Sequence, residues 1–207
     1  MLRWLLERIV EFDKQALLYC NSKHTPVWDN IMSWIAGETS WIPLYVILMI
    51  VIIYRERPYR FIITIVFIAI TVALCDRTSV LIKNLIERPR PSHDPEIANL
   101  VILVNNYKGG VYGFVSSHAA NVFGAATFLT NQFKHYKWSF FLFAWAIIVS
   151  YSRIYQGVHY PLDIICGATL GTLIGIQCYI FKVKTAVYID RRVERRQRNK
   201  KLKIRNS

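Results

Sequence analysis

Cysteine is scarce in this chain, with four in 207 residues: Cys20, Cys75, Cys166 and Cys178. They follow no metal-ligand spacing, and three lie in apolar runs, so they read as packing residues and leave the redox compartment open. Carboxylates are few as well: 13 Asp and Glu stand against 26 Lys and Arg, for a net charge of +13. No G-x-S-x-G sequence occurs, which removes the nucleophile elbow of a serine hydrolase. No stretch between the apolar runs is large enough to fold as a soluble domain. The opening residues, M-L-R-W-L-L-E-R-I-V-E-F-D-K, carry too many charges for a cleavable signal peptide.

What the chain does have is hydrophobicity in blocks. Hydrophobic residues make up 54% of it, in long runs separated by short basic clusters. That alternation predicts an all-α, multi-pass transmembrane bundle of five to six membrane helices, in a single domain. Residues 1–22 place apolar and charged side chains in an amphipathic pattern, which fits equally a helix lying on the membrane surface and one packed on the bundle. Residues 23–182 form the membrane domain. Its segments are Trp28 to Ala36, Trp41 to Tyr54, Phe61 to Ile82, Ser116 to Phe133, Trp138 to Tyr151 and Pro161 to Phe181. Asp76 and Lys83, seven residues apart, are expected to share a face turned into the bundle. Gly167, Gly171 and Gly175 repeat every four residues, a ladder that lets another helix approach closely.

Residues 183–207 are a basic tail. From residue 182 onward eleven Lys/Arg face two acids, so 11 − 2 gives +9. The tail, with Arg55–Arg60 and Lys134–Lys137, marks the cytoplasmic side, leaving 83–115 and 151–160 outside. Topology accounts for this charge, and nucleic acid is not expected as a partner.

Three clusters then meet on the outer side: Lys83-N-L-I-E-R-P-Arg90-Pro91, Ser116-Ser117-His118, and Ser152-Arg153 through His159 to Asp163. Charged groups at membrane depth cost roughly 2.5–3.5 kcal/mol each on insertion scales, so they have a task. Pro161 can open a helix at its first turn, with His159 just before it and Asp163 inside it. A histidine held by a carboxylate beside an arginine suits a nucleophile or base in phosphate chemistry. Ser116 and Ser117 can cap the helix they open, and its free N–H groups favour an anion. Two histidines and a carboxylate could instead form a metal facial triad, but Lys83 and Arg153 would repel a divalent cation. A module that only binds phospholipid headgroups explains the cations and leaves the His–Asp pair without a role.

These motifs resemble the type 2 phosphatidic acid phosphatase (PAP2) superfamily. Its K-x6-R-P pattern is met by Lys83, Arg90 and Pro91, and S-R-x5-H-x3-D by Ser152, Arg153, His159 and Asp163. Its P-S-G-H is met as Val115-Ser116-Ser117-His118, with Val and Ser replacing Pro and Gly. The resemblance covers about residues 28–182 and implies phosphate hydrolysis without metal or cofactor. It implies His159 as nucleophile, Asp163 as its orienting carboxylate, and His118 as acid and then base. Lys83, Arg90, Arg153, Ser116 and Ser117 would hold the phosphate. The substrate is expected to be a lipid phosphate that reaches the site laterally from the bilayer, and no obligatory protein partner is expected. The composition suggests a bacterial inner membrane, with the site facing the periplasm. Undecaprenyl diphosphate, lipid A and phosphatidylglycerol phosphate are the candidate substrates. A phosphotransferase using the same phosphohistidine is the alternative.

Overall fold

The structure, a computed structural model, describes residues 1–205 and is all-α. In chain order its helices are α1 (Leu2–Asn21), α2 (Pro26–Ala36), α3 (Ile42–Arg55), α4 (Pro58–Ile86), α5 (Ser117–Phe133), α6 (Tyr136–Tyr155) and α7 (Pro161–Arg205). Proline sits in the first turn of α2, α3 and α4, where its missing N–H costs nothing. Thr25 caps α2 by accepting from the Trp28 N–H at 3.3 Å.

The polarity of the bundle is inside out. The residues α4 buries are Thr64, Thr71, Cys75 and Ser79, while Ile62, Val66, Ile70 and Leu81 are exposed. Such a surface is an aggregation liability in water and the expected one in hydrocarbon. By length and composition α4, α6 and α7 can each cross a membrane. The α2–α3 pair, bent by 75°, makes a fourth span if counted as one. That is three to four by this measure, against the five to six read from the sequence. The difference lies in α3, with 14 residues, and α5, with 17, both short for a span.

Helix α5 is the centre of the bundle, and none of its residues is exposed. Its small residues let α7 touch it backbone to backbone. A Cβ added at Gly167 would stand 2.5 Å from the Ser116 carbonyl, and one at Gly175 2.6 Å from that of Gly124. Gly171 lies against the Ala120 carbonyl in the same way. The glycine ladder is therefore a seam, and it fixes the first turn of α7 against the start of α5. On the far side of α5, Leu129, Phe133, Leu142, Trp145 and Val149 form a core with Leu48 and Ile52 of α3.

At the end of the bundle away from the clusters, Glu56 accepts from Lys182 (3.0 Å), Gln132 (2.9 Å) and Thr64 (2.6 Å), tying α7, α5 and α4 together. The basic tail continues α7 as a single helix through Arg205. Arg60 and Tyr59 of α4 both reach Asp190 on it.

One expectation changes here. Lys83 turns inward, but Asp76 is exposed and in no ion pair among the described residues, so the shared face carries one charge inward. The lysine stem reaches the interior from a flank where a short carboxylate stays outside. Helix α1 is amphipathic, yet its buried positions are Asp13, Leu17 and Asn21, at four-residue spacing. Trp4, Leu5, Leu6, Ile9, Val10 and Phe12 remain exposed. Its second half is docked on the bundle by Asp13 and Asn21 on either side of Leu17, which joins a core with Ile97, Val101 and Tyr160.

Candidate active site

The chain leaves α6 and reverses into α7 through Gly157, whose φ of +70° favours glycine. A Cβ there would also run into Val101. The reversal puts His159 just before Pro161, with 1% of its surface exposed, and Asp163 in the first turn, fully buried. His159 Nδ1 lies 3.3 Å from Asp163 Oδ2, which also accepts the Tyr160 N–H at 3.0 Å. Burial pushes the His159 imidazole down to about 4; Asp163 opposes that shift, and the Arg90 and Lys83 charges reinforce it. The ring is thus neutral near pH 7, with Nδ1–H donated to the carboxylate and the Nε2 lone pair left free.

Lys83, in the last turn of α4, donates to Ser117 Oγ at 2.6 Å. Ser116 caps α5, accepting weakly from the Ala119 N–H at 3.4 Å, and its own N–H donates to the Asp163 carbonyl at 3.0 Å. Arg90 is held by the connection that follows it. Its N–H bonds the Val111 carbonyl at 2.9 Å and its Nε the Tyr112 carbonyl at 3.2 Å. Gly109 lies over the Arg90 guanidinium, and Gly113 packs between Arg90 and Asp163, so the Tyr107–Tyr112 stretch covers this cation.

His118, in the first turn of α5, is paired through Nε2 with Arg153 Nη2. Arg153 is buried, donates to Gln156 Oε1 at 3.3 Å, and leaves its Nε without a partner. A buried guanidinium with an unspent donor is poised for a further acceptor. All eight residues singled out in the sequence are thus gathered at one end of the bundle. Among the described residues, no group of three His, Cys, Asp or Glu side chains could hold a metal ion.

Sequence reading missed three neighbours. Arg88 donates to Asp163 Oδ1 at 3.0 Å and to Asp13 Oδ2 at 2.7 Å. Glu38, on the α2–α3 turn, stands 3.7 Å from His118 Nε2. Arg88 lies inside the first motif and could have been weighed; Asp13 and Glu38 carry no local signal. Beside Glu38 and His118 begins a cleft of about 510 Å³, otherwise lined mainly by apolar side chains including Trp41, Tyr45, Leu48, Val122 and Trp145. It follows α3 down to Ile52, about 16 Å at 1.5 Å per residue.

An end-on cluster of cations and a buried His–Asp pair, opening on an apolar cleft, defines a membrane enzyme of phosphate chemistry. The PAP2 superfamily profile matches residues 58–186, and the chain belongs to that superfamily. It is a metal-independent phosphatase of the bacterial membrane lipid phosphatase branch. It is 38% identical over 170 residues to a lipid A 4'-phosphatase of Bacteroides thetaiotaomicron, covering 81% of this chain and 75% of that protein. The crystal structure of Aquifex aeolicus LpxE superposes with a TM-score of 0.60 at 26% identity, over 79% of this chain and 92% of that one. A PAP2-type phosphatidylglycerolphosphate phosphatase from Bacillus subtilis shares the fold, with a TM-score of 0.64 at 19% identity, over 86% and 87% of the two chains.

Proposed function

We propose that this enzyme removes a phosphate from a lipid A-type glycolipid at the outer face of the bacterial inner membrane, through a phosphohistidine. The observation that carries the reading is the buried His159–Asp163 pair among Lys83, Arg90 and Arg153, beside an apolar cleft. The cations would hold the equatorial phosphate oxygens, and the cleft would take an acyl chain. The name of the Bacteroides relative favours the 4'-phosphate of lipid A as the group removed.

In this mechanism His159 Nε2 attacks phosphorus in line, and the imidazolium that forms keeps its Nδ1–H on Asp163. Arg153 moves its donors from His118 to the phosphate, and the freed Nε2 takes up a proton from solvent and passes it to the leaving oxygen. His118 then takes a proton from the water that attacks phosphohistidine. Ser117 and the α5 N-terminus add donors on the same side.

Five crossings, α3 to α7, are consistent with the basic turns and the tail on the cytoplasmic side. Helix α1 would lie at the outer surface with Trp4, Leu5 and Ile9 in lipid. Phosphate release from lipid A, undecaprenyl diphosphate and phosphatidylglycerol phosphate, measured with the purified protein, tests the substrate. Release from lipid A at least tenfold faster than from the other two is expected; equal or reversed rates would overturn that choice.

A further inference from the structure

The His–Asp pair does not end at Asp163. Its Oδ2 faces His159 and the Tyr160 N–H, while its Oδ1 accepts from Arg88 Nη1 at 3.0 Å. The other Arg88 amino group donates to Asp13 Oδ2 at 2.7 Å, and Asp13 Oδ1 accepts the Leu162 N–H at 2.9 Å. Every oxygen of both carboxylates is an acceptor, so neither needs a proton; burial raises the Asp13 pKa, and the Arg88 and Leu162 donors oppose that rise. Both carboxylates are buried, and the guanidinium lies 4.0 Å over the Tyr160 ring. This is a built array, with one bidentate cation between two buried acids.

Its charge is what matters. Arg88 alone would neutralise Asp163 and cancel the attraction that a developing imidazolium needs. With Asp13 added, the array carries one net negative charge while His159 is neutral. It becomes neutral when His159 is phosphorylated and cationic. We infer that Asp13 and Arg88 are positioning residues for the nucleophile, with α1 supplying the countercharge that keeps Asp163 effective. This rests on His159 being the nucleophile. It also gives α1 a task in the reaction and explains why its docked face carries a buried carboxylate.

The other charges facing His159 are cations and an imidazole: Lys83 from α4, Arg90 from the connection, and His118 and Arg153 from α5 and α6. Among the described residues the other acid at the site is Glu38, exposed and beside His118, so Asp13 is the buried countercharge on the Asp163 side. Its effect is separable from a structural one because the charge can be rebalanced. Asp13→Asn leaves the array neutral, whereas Asp13→Asn with Arg88→Gln returns it to one negative charge.

The experiment uses the full-length protein in detergent, p-nitrophenyl phosphate as the probe, and imidazole NMR to follow His159. Asp13→Asn should lower kcat by about 10–100-fold, a loss like that seen when a carboxylate behind a metal-binding histidine is removed, with KM changed less than about twofold. His159 should titrate at a lower pH than in the parent enzyme. The double variant should bring that titration back toward the parent value and recover part of kcat. Parent-like kcat and titration in Asp13→Asn would overturn the inference. So would a loss of kcat in both variants with the titration unmoved, the mark of a merely structural role. His159→Ala run alongside separates the two levels, because turnover retained there would overturn the nucleophile assignment itself.

Discussion

The Ser116 N–H donates to the Asp163 carbonyl at 3.0 Å, so the helix that carries His118 is bonded to the helix that orients His159. The bond forms only because α5 and α7 meet with no side chain between them at Gly167, Gly171 and Gly175. The same contact sets both packing and the relative position of the two imidazoles.

Substitution at Gly171 should therefore cost more than local stability. A Cβ there meets the Ala120 backbone, which cannot turn aside as a side chain can. Gly171→Val should lower stability by roughly 1–3 kcal/mol or more, read as a lower melting temperature in detergent. Phosphate release should fall with it. Gly110→Ala, with open space around it, should leave both unchanged. Equal melting temperatures for the two variants would mean that the seam is looser than its geometry.

The pH dependence follows from His159. A nucleophilic imidazole must be neutral, and burial lowers its pKa from 6.5 to about 4. Lowering favours the active form, so kcat/KM should keep its His159-dependent activity below pH 6.5 and lose it as the pH falls through about 4. The profile must be corrected for the ionisation of the substrate phosphate, titrated separately. An acid limb from the enzyme near 6.5 would mean that water reaches the ring and that its burial does not hold in solution.

Much of this was legible in the sequence because the signals are local. Pro161 marks the start of α7, and the four-residue glycine spacing marks a close-packing seam along it. The motif residues sit at helix ends that a simple alternation of spans brings to one side. What was not legible depends on contacts between distant segments. Asp13 and Arg88 are 75 residues apart, and nothing in the pattern of α1 distinguishes Asp13 from Glu11. Asp76 was expected inward on periodicity, which describes where Cα lies and not how far a side chain reaches.

Arg153 should not tolerate lysine. Its guanidinium pairs with His118 through one amino group and with Gln156 through another, and keeps Nε free. An ammonium offers a point charge and cannot make those planar contacts together. Arg153→Lys should lose roughly a hundredfold in turnover, comparable to removing an oxyanion donor, with insertion and melting temperature near those of the parent. Turnover within about threefold of the parent enzyme would show that charge alone suffices at this position.

Nucleophile and acid can be separated by what they trap. Loss of either His159 or His118 should abolish steady-state turnover, so rates alone cannot assign the roles. The covalent step differs. Without His159, no phosphoryl-enzyme forms with any substrate. Without His118, a phosphate ester with a good leaving group such as p-nitrophenolate needs little protonation, and the first step survives. The second step still lacks its base, so the acid-labile phosphohistidine should accumulate. His118→Ala given labelled p-nitrophenyl phosphate is therefore expected to hold label on His159, and His159→Ala to hold none. The positions of the two rings support the assignment, since His159 Nδ1 is committed to Asp163 while, among the described residues, His118 meets Arg153 and the exposed Glu38. Label on Ser116, or on His118 in the His159→Ala protein, would reverse the roles and remove the reason for Asp163 to be buried where it is.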